Sequence, residues 1–127
     1  MTAPNWIDAV VRDFGRGAGI DGFALNSRGA AAVRFENGFS LRFEYRGDEL
    51  VVLVAVPAAN DAQTARRALS CAHPDARFGV RVRVCYLAKS GCVAFAVRIA
   101  AQEVTLPALS AAFGALWRVA NEFGGAA

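Results

Sequence analysis

Apolar side chains near the start of the chain recur at the spacing of an amphipathic helix. They lie at positions i, i+1, i+4, i+5 and i+8, which share one helical face. These residues are Trp6, Ile7, Val10, Val11 and Phe14. Asn5 is the predicted N-cap, and Asp8 in the first turn suits the positive helix end. Three glycines predict where the helix stops: Gly15, Gly17 and Gly19.

The following region alternates between apolar and polar residues, as a strand with one buried face does. Two such runs, 31–36 and 39–46, flank Asn37-Gly38. This dipeptide favours a type I′ hairpin turn, in which both turn residues have positive φ. Gly47-Asp48 predicts a second turn, and the apolar run Leu50–Val56 predicts a strand covered on both sides. We therefore expect a three-stranded antiparallel meander.

A second helix is predicted over Asp61–Ala72, with Asn60 as its N-cap and Gln63 at the capping-box position. Pro74 ends it. Leu69 is its only large apolar residue, and the others are small: Ala62, Ala65, Ala68 and Ala72. Because an alanine-rich face permits close approach of another backbone but buries little area, this helix suits an interface better than a core.

Two further alternating runs, 80–86 and 93–99, predict a hairpin joined by a short loop at 88–91. Thr105 is the predicted N-cap of a last helix, which has Pro107 in its first turn and ends at Gly124. Its apolar stripe comprises Leu106, Leu109, Phe113, Leu116, Trp117, Ala120 and Phe123. The element order α-β-β-β-α-β-β-α predicts a single α+β domain over residues 1–127, with helices packed on a twisted antiparallel sheet.

The composition narrows the setting in which such a domain works. Hydrophobic residues make up 55% of the chain, which predicts a very complete core or apolar surface reserved for a partner. The longest apolar run, Leu50–Val56, is far shorter than the ~20 residues of a membrane span. Asp8 and Asp13 lie where a secretory signal has its apolar stretch.

Cysteine usage indicates a reducing compartment. The chain has no Cys-x-x-Cys pair, and its three cysteines are an odd number for a disulfide framework. They are Cys71, Cys85 and Cys92. We expect them to be reduced and buried, and the protein to be cytoplasmic.

The charge of the chain leaves a second functional class open. The formal net charge is +3, the pI is about 9.1, and Lys89 is the only lysine among fourteen basic residues. A small basic nucleic-acid-binding domain is therefore the alternative function, with Arg81 and Arg83 on one strand face as candidate phosphate contacts. Against it, the aromatic residues Phe39 and Phe43 lie on the strand face opposite Arg42, where they cannot stack bases beside the arginine.

Motifs that would indicate catalysis or cofactor binding lack the required surroundings. Residues 17–22 match G-x-G-x-x-G, but a helix precedes them and a strand follows, the reverse of a dinucleotide site. Asp13-Phe14-Gly15 and Arg46-Gly47-Asp48 spell a kinase motif and an adhesion motif, yet a helix end and a hairpin turn account for both. The only histidine, His73, has no further metal ligands at suitable spacing. We predict no catalytic residue, no metal site and no cofactor.

Several features together carry a family resemblance. They are the segment 20–25 after the first helix, the strands Phe39–Tyr45 and Leu50–Val56, Asn60 opening a short middle helix, and the closing stripe 113–123. In these features the chain resembles the class I type III secretion chaperones (the Tir-chaperone family), which are small cytosolic domains that form dimers. The resemblance implies a virulence-associated, ATP-independent chaperone that binds the N-terminal region of a secreted effector protein and keeps it secretion-competent.

The resemblance also implies where partners bind. An effector segment is expected to wrap around the dimer near the first helix and the meander, at Trp6, Val10, Phe14, Phe35 and Phe39. The expected dimer contact comprises Ala65, Ala68, Leu69, Val80, Val82, Val84 and Tyr86. For each large apolar residue, packing in the core is the competing interpretation. Members of the family are typically acidic and this chain is basic. A basic member is expected to favour an acidic effector segment, or to pair with an acidic sister chaperone as a heterodimer in place of the homodimer.

Overall fold

The computed structural model describes residues 3–72 and 81–125, so the predictions for His73, Pro74 and Val80 concern positions outside the described residues. The predicted order of helices and strands is confirmed. The elements are α1 (Asn5–Gly17), β1 (Ala30–Arg34), β2 (Ser40–Arg46), β3 (Glu49–Pro57), α2 (Ala62–Cys71), β4 (Arg83–Leu87), β5 (Cys92–Ala100) and α3 (Leu106–Gly125). A single 3₁₀ turn, Ala101–Glu103, separates β5 from α3.

The five strands form one antiparallel sheet in the order β1-β2-β3-β5-β4. The predicted meander of β1, β2 and β3 is confirmed, and β5 pairs with β3 along its whole length, from Glu49 opposite Ala100 to Pro57 opposite Cys92. β1 and β4 are the edge strands. Each therefore has one side of its backbone free of sheet pairing among the described strands.

Within residues 3–72 and 81–125, the helices cover one face of the sheet. Alternate strand residues, such as Phe43, Val54 and Phe95, point to that face and are fully buried against the helices. The other strand residues point to what we call the open face, where a small cluster around Leu53 and Ala94 contains strand residues alone. The predicted covered strand Leu50–Val56 is buried throughout except for the half-buried Val51.

Two helix N-caps differ from the sequence prediction by one residue. α1 begins at Asn5 itself, because the Pro4 carbonyl already accepts the N–H groups of Ile7 (3.1 Å) and Asp8 (3.2 Å). α2 is capped by Asp61 rather than Asn60, and the Asp61 carboxylate accepts the Thr64 N–H at 2.7 Å. A carboxylate makes a stronger, charge-assisted bond there than an amide does. That bond lowers the pKa of Asp61.

The first hairpin turn is not of type I′. Only Gly38 has a positive φ (90°), whereas Asn37 does not. Instead the Gly38 N–H donates to the Phe35 carbonyl at 3.0 Å, and the Asn37 side chain accepts the Phe39 N–H at 2.9 Å. The loop is thus a tight turn followed by one left-handed glycine, and the side-chain bond of Asn37 holds the asparagine outside the left-handed region.

Several element boundaries also shift. α1 continues past Gly15 to Gly17, and α3 continues past Gly124 to Gly125, because glycine permits the end of a helix without enforcing it. β4 begins at Arg83, since Arg81 and Val82 precede the residues that pair with β5.

Gly15 lies where α1 approaches the segment that follows it. A Cβ at this position would lie 2.7 Å from the Cβ of Phe23, whereas a Cβ at Gly17 would meet nothing within 4 Å. We expect Gly15→Ala to lower the free energy of unfolding by about 1–3 kcal/mol, since overpacking outweighs the helix propensity that alanine adds. Gly17→Ala is the matched control and is expected to be neutral or slightly stabilising. Urea unfolding of both variants tests this, and equal stability of the two would contradict it.

Candidate protein-binding surfaces

Seven aromatic rings form one continuous cluster between α1, α3 and the β1 end of the sheet. Four of them are buried: Phe14, Phe23, Phe39 and Phe43. Three are half-buried and reach the surface: Phe35, Phe113 and Trp117. Ring centroids within the cluster lie 5.0 to 6.5 Å apart, as in favourable aromatic pairs.

Trp117 is the centre of the exposed part of this cluster. Its ring lies 5.0 Å from that of Phe35, 5.4 Å from that of Phe39 and 5.5 Å from that of Phe113. Phe35 follows directly after the edge strand β1, so the aromatic surface adjoins a strand with free backbone groups. An extended segment can pair with such an edge while its apolar side chains contact the rings.

α1 extends this surface along its own axis. Trp6, Val10 and Phe14 follow one another at intervals of four residues, so they lie on one face of α1. The Trp6 side chain is 49% exposed, Val10 is half-buried and Phe14 is buried. The Phe14 ring lies 5.6 Å from that of Phe113, which joins the α1 stripe to the aromatic cluster. We call the exposed and half-buried members the aromatic patch: Trp6, Val10, Phe35, Phe113 and Trp117.

The five residues predicted to bind a client differ in their exposure. Trp6, Val10 and Phe35 lie in the aromatic patch, whereas Phe14 and Phe39 are buried beneath it as its floor. Phe14 is buried because it faces Phe43 across the sheet–helix interface, with 5.3 Å between the ring centroids. In this structure Phe14 and Phe39 therefore support the patch and offer no surface of their own.

Sequence reasoning did not assign Phe113 and Trp117 to a binding surface. Both were placed in the apolar stripe of the last helix, where they are i and i+4 neighbours on one face. Both side chains are half-buried, and both rings contact that of Phe35. The sequence carries no signal that separates them from the buried members of the same stripe.

Four of the seven residues predicted for the dimer contact lie around a second surface, between α2 and the edge strand β4. Leu69 is 62% exposed, the largest exposure among the large apolar residues described, and Ala65 is exposed beside it. A groove of about 210 Å³ separates these two residues from Val84 and Tyr86. We call this the α2–β4 surface.

Other members of that predicted set have different positions. Val82 is half-buried and packs against the core, next to the start of β4. Ala68 is fully buried, because it points from α2 into the helix–sheet core. The Tyr86 hydroxyl donates to the Ala58 carbonyl at 3.2 Å, which holds β4 beside the entrance to α2.

A cation–π contact ties α2 to α3 behind this surface. The Arg67 guanidinium lies 4.5 Å from the centre of the Phe123 ring. Nearby, burial raises the pKa of the Cys71 thiol, and the negative charge of Glu122 adds to the rise. A thiol shifted in this direction is a poor nucleophile at neutral pH.

The cysteines are only partly as predicted. All three are free, but only Cys71 and Cys92 are half-buried, whereas Cys85 is exposed. Cys85 is exposed because it points to the open face from the edge strand β4. Within residues 3–72 and 81–125, no three side chains of His, Cys, Asp or Glu come together as metal ligands. Across the same residues, no helix has the length and apolar character needed to cross a membrane.

Several solved structures have the same fold as this chain. A chain from the crystal structure of the ExsC–ExsE complex is 18% identical, with a TM-score of 0.75, and the match covers 94% of this chain and 92% of that one. A chain from the HopA1–SchA chaperone–effector complex is 15% identical, with a TM-score of 0.68 and coverage of 91% and 90%.

A third match comes from the Yersinia pestis type III secretion chaperone SycH in complex with a stable fragment of YscM2. It is 16% identical, has a TM-score of 0.65, and covers 90% of this chain and 96% of that one. At such low identity these structures establish the fold, and they confirm the α+β arrangement expected from the sequence. None of the comparisons supports the nucleic-acid alternative.

No curated protein matches the chain closely enough to add to this picture. A family model does match: it is described as type III secretory system chaperone SycN and covers residues 6–124, nearly the whole sequence. The matched range includes every residue of the aromatic patch and of the α2–β4 surface. The chain therefore belongs to the SycN family of type III secretion chaperones.

Proposed function

We propose that this protein is an ATP-independent cytoplasmic chaperone that binds the N-terminal region of a type III secretion effector and keeps it unfolded for export. Membership of the SycN family supports the chaperone role. The observation that carries the binding role is the aromatic patch, in which five apolar residues lie exposed or half-buried and one of them, Phe35, directly follows the edge strand β1. We assign the protein no enzymatic activity.

The proposed binding mode uses two kinds of contact. The backbone of an extended client segment pairs with the edge of β1, which holds the segment without regard to its sequence. Its apolar side chains contact Phe35, Trp117 and Trp6, which provide large, rigid surfaces that are typical of binding hot spots. Such contacts cover apolar client residues that would otherwise aggregate, and they leave the client without a fold of its own.

We further propose that the α2–β4 surface joins two copies of the chain. Leu69 offers exposed apolar area at the centre of this surface, and the small side chain of Ala65 lets a second backbone come close. β4 is an edge strand, so its free backbone groups are covered when a second copy packs there. Dimerisation would place the two aromatic patches on one assembly, which allows a single long client segment to contact both.

Affinity purification from the source cell tests the proposed function. The lysate is treated with nuclease, and the mass of the eluted complex is determined by light scattering. We expect about twice the 13.4 kDa of the chain plus the mass of one co-purifying secreted protein. Elution without any protein partner, or loss of the partner on nuclease treatment, would overturn the proposal.

A further inference from the structure

The register of the strands places a row of four side chains straight across the open face of the sheet. Arg42 on β2 pairs with Leu53 on β3. Leu53 pairs in turn with Ala96 on β5, and Ala96 pairs with Arg83 on β4. The row thus has an arginine at each end and two apolar residues between them. Three strand spacings of about 4.8 Å separate the arginines by about 14 Å.

Basic residues predominate on this face. The described strands contribute two glutamates, Glu44 and Glu49, to the open face, against five arginines: Arg34, Arg42, Arg46, Arg83 and Arg98. The Glu44 carboxylate pairs with Arg42 at 2.8 Å and with Arg46 at 3.0 Å, and Glu49 lies 3.9 Å from Arg98. Arg83 has no ion pair within residues 3–72 and 81–125. The face therefore keeps positive charge that no carboxylate in the described part of the chain neutralises.

Three members of the row, Leu53, Ala96 and Arg83, line a groove on this face, and Arg42 flanks the groove next to Leu53. The groove has a volume of about 940 Å³, and its lining includes Val51, Leu53 and Ala96 on its floor, with Arg83 and Arg98 beside them. At the β4 end it reaches Leu69 of α2. A floor of aliphatic side chains with arginines beside it suits an extended polypeptide that carries both apolar and acidic side chains.

The residues on this face favour a protein partner over a nucleic acid. In the described strands no aromatic side chain points to the open face, so bases have nothing on which to stack. The interspersed Glu44 and Glu49 repel a continuous phosphate backbone. A second copy of this chain is also disfavoured on this face, because the same excess of arginines on the two facing sheets would repel.

We propose that the open face is a second binding site, which takes an acidic, extended segment of the exported client. The segment crosses the strands, places an apolar side chain on Leu53 and Ala96, and places carboxylates on Arg42 and Arg83. In an extended chain, residues four apart are about 13 Å from each other and point to the same side, which matches the spacing of the two arginines. This assignment rests on the proposed chaperone function but uses no residue of the aromatic patch.

A synthetic peptide tests the site without the natural client. The probe is a fluorescein-labelled peptide with two Glu-Ser-Leu-Ser-Glu units, and its binding is measured by fluorescence anisotropy at low and moderate salt. We expect Arg83→Glu and Arg42→Glu each to weaken binding about tenfold, because each charge reversal turns an attraction into a repulsion. Arg83→Lys is expected to keep most of the affinity, and Arg118→Glu, an exposed charge reversal on α3, is the matched control.

The outcomes separate this inference from the proposed function. Equal binding of the Glu→Gln form of the peptide, or equal loss of affinity with Arg118→Glu, would overturn the site. So would tighter binding of a labelled poly-dT oligonucleotide, which would assign the face to nucleic acid. Arg42 lies on β2, away from the α2–β4 surface, so its variant tests the site without disturbing a dimer contact. If the peptide binds as expected but no secreted client is found, the chaperone function fails and the acidic-peptide site stands.

Discussion

Replacing both Trp6 and Phe35 with alanine is expected to weaken binding of the client about a hundredfold. An interface residue that contributes to binding costs more than about 1 kcal/mol when it is truncated, and a hundredfold loss corresponds to about 2.7 kcal/mol for the two residues together. Trp6 lies on α1 and Phe35 directly follows β1, so the double variant removes a contact from each of the two elements that form the patch with α3. Isothermal titration with the N-terminal segment of the client measures the change.

The fold is expected to survive this double substitution. Trp6 is 49% exposed, so its removal leaves no cavity in the core. Phe35 is half-buried against Trp117, and we expect only a modest fall in the melting temperature. Leu106→Ala is the matched control, because Leu106 is also a large exposed apolar residue (44%) and lies about 16 Å along α3 from Trp117. A double variant that binds within twofold of the wild type would place the client elsewhere.

Leu69→Asp is expected to convert the proposed dimer to a monomer. An aspartate at the centre of the α2–β4 surface would be buried without a partner in the dimer, and burying an unpaired charge costs several kcal/mol. In the single chain Leu69 is 62% exposed, so the same substitution leaves the core of the protomer unchanged.

Light scattering distinguishes the two states directly. We expect about twice 13.4 kDa for the wild type and 13.4 kDa for Leu69→Asp. Leu106→Asp introduces the same charge at another exposed leucine and is expected to remain dimeric. A wild-type protein that is monomeric at all concentrations, or a Leu69→Asp variant that stays dimeric, would remove the α2–β4 surface as the dimer contact.

The element order could be predicted because it depends on periodicity, which local sequence carries. The strict alternation of residues 39–46 and the helical spacing from Trp6 to Phe14 each identify an element before any tertiary contact is known. Boundaries and turns depend on single hydrogen bonds. Asp61 caps α2 in place of Asn60, and Asn37 bonds to the Phe39 N–H and stays outside the left-handed region. When two neighbouring residues cap helices about equally well, the sequence does not show which of them makes the capping hydrogen bond.

The binding surfaces were less predictable, because an apolar stripe does not show how much of it the rest of the fold covers. Trp6 and Phe14 share one stripe of α1, yet Trp6 lies beyond the end of the covered region and Phe14 lies under Phe113. Leu69 and Ala68 are adjacent in the chain, and the turn of the helix exposes the first and buries the second. The open face of the sheet was missed because its row of residues joins two hairpins, β2-β3 and β4-β5, that α2 separates in the sequence.

The most direct test of the account uses the two tryptophans of the chain, Trp6 and Trp117, which both lie in the aromatic patch. In the Trp117→Phe variant, fluorescence reports Trp6 alone. Acrylamide quenching is measured with and without a client segment that lacks tryptophan. If the client covers the patch, the quenching of Trp6 falls to that of a buried indole and its emission shifts to shorter wavelengths. A client that binds while Trp6 remains as accessible to acrylamide as in the free chaperone would contradict the central claim.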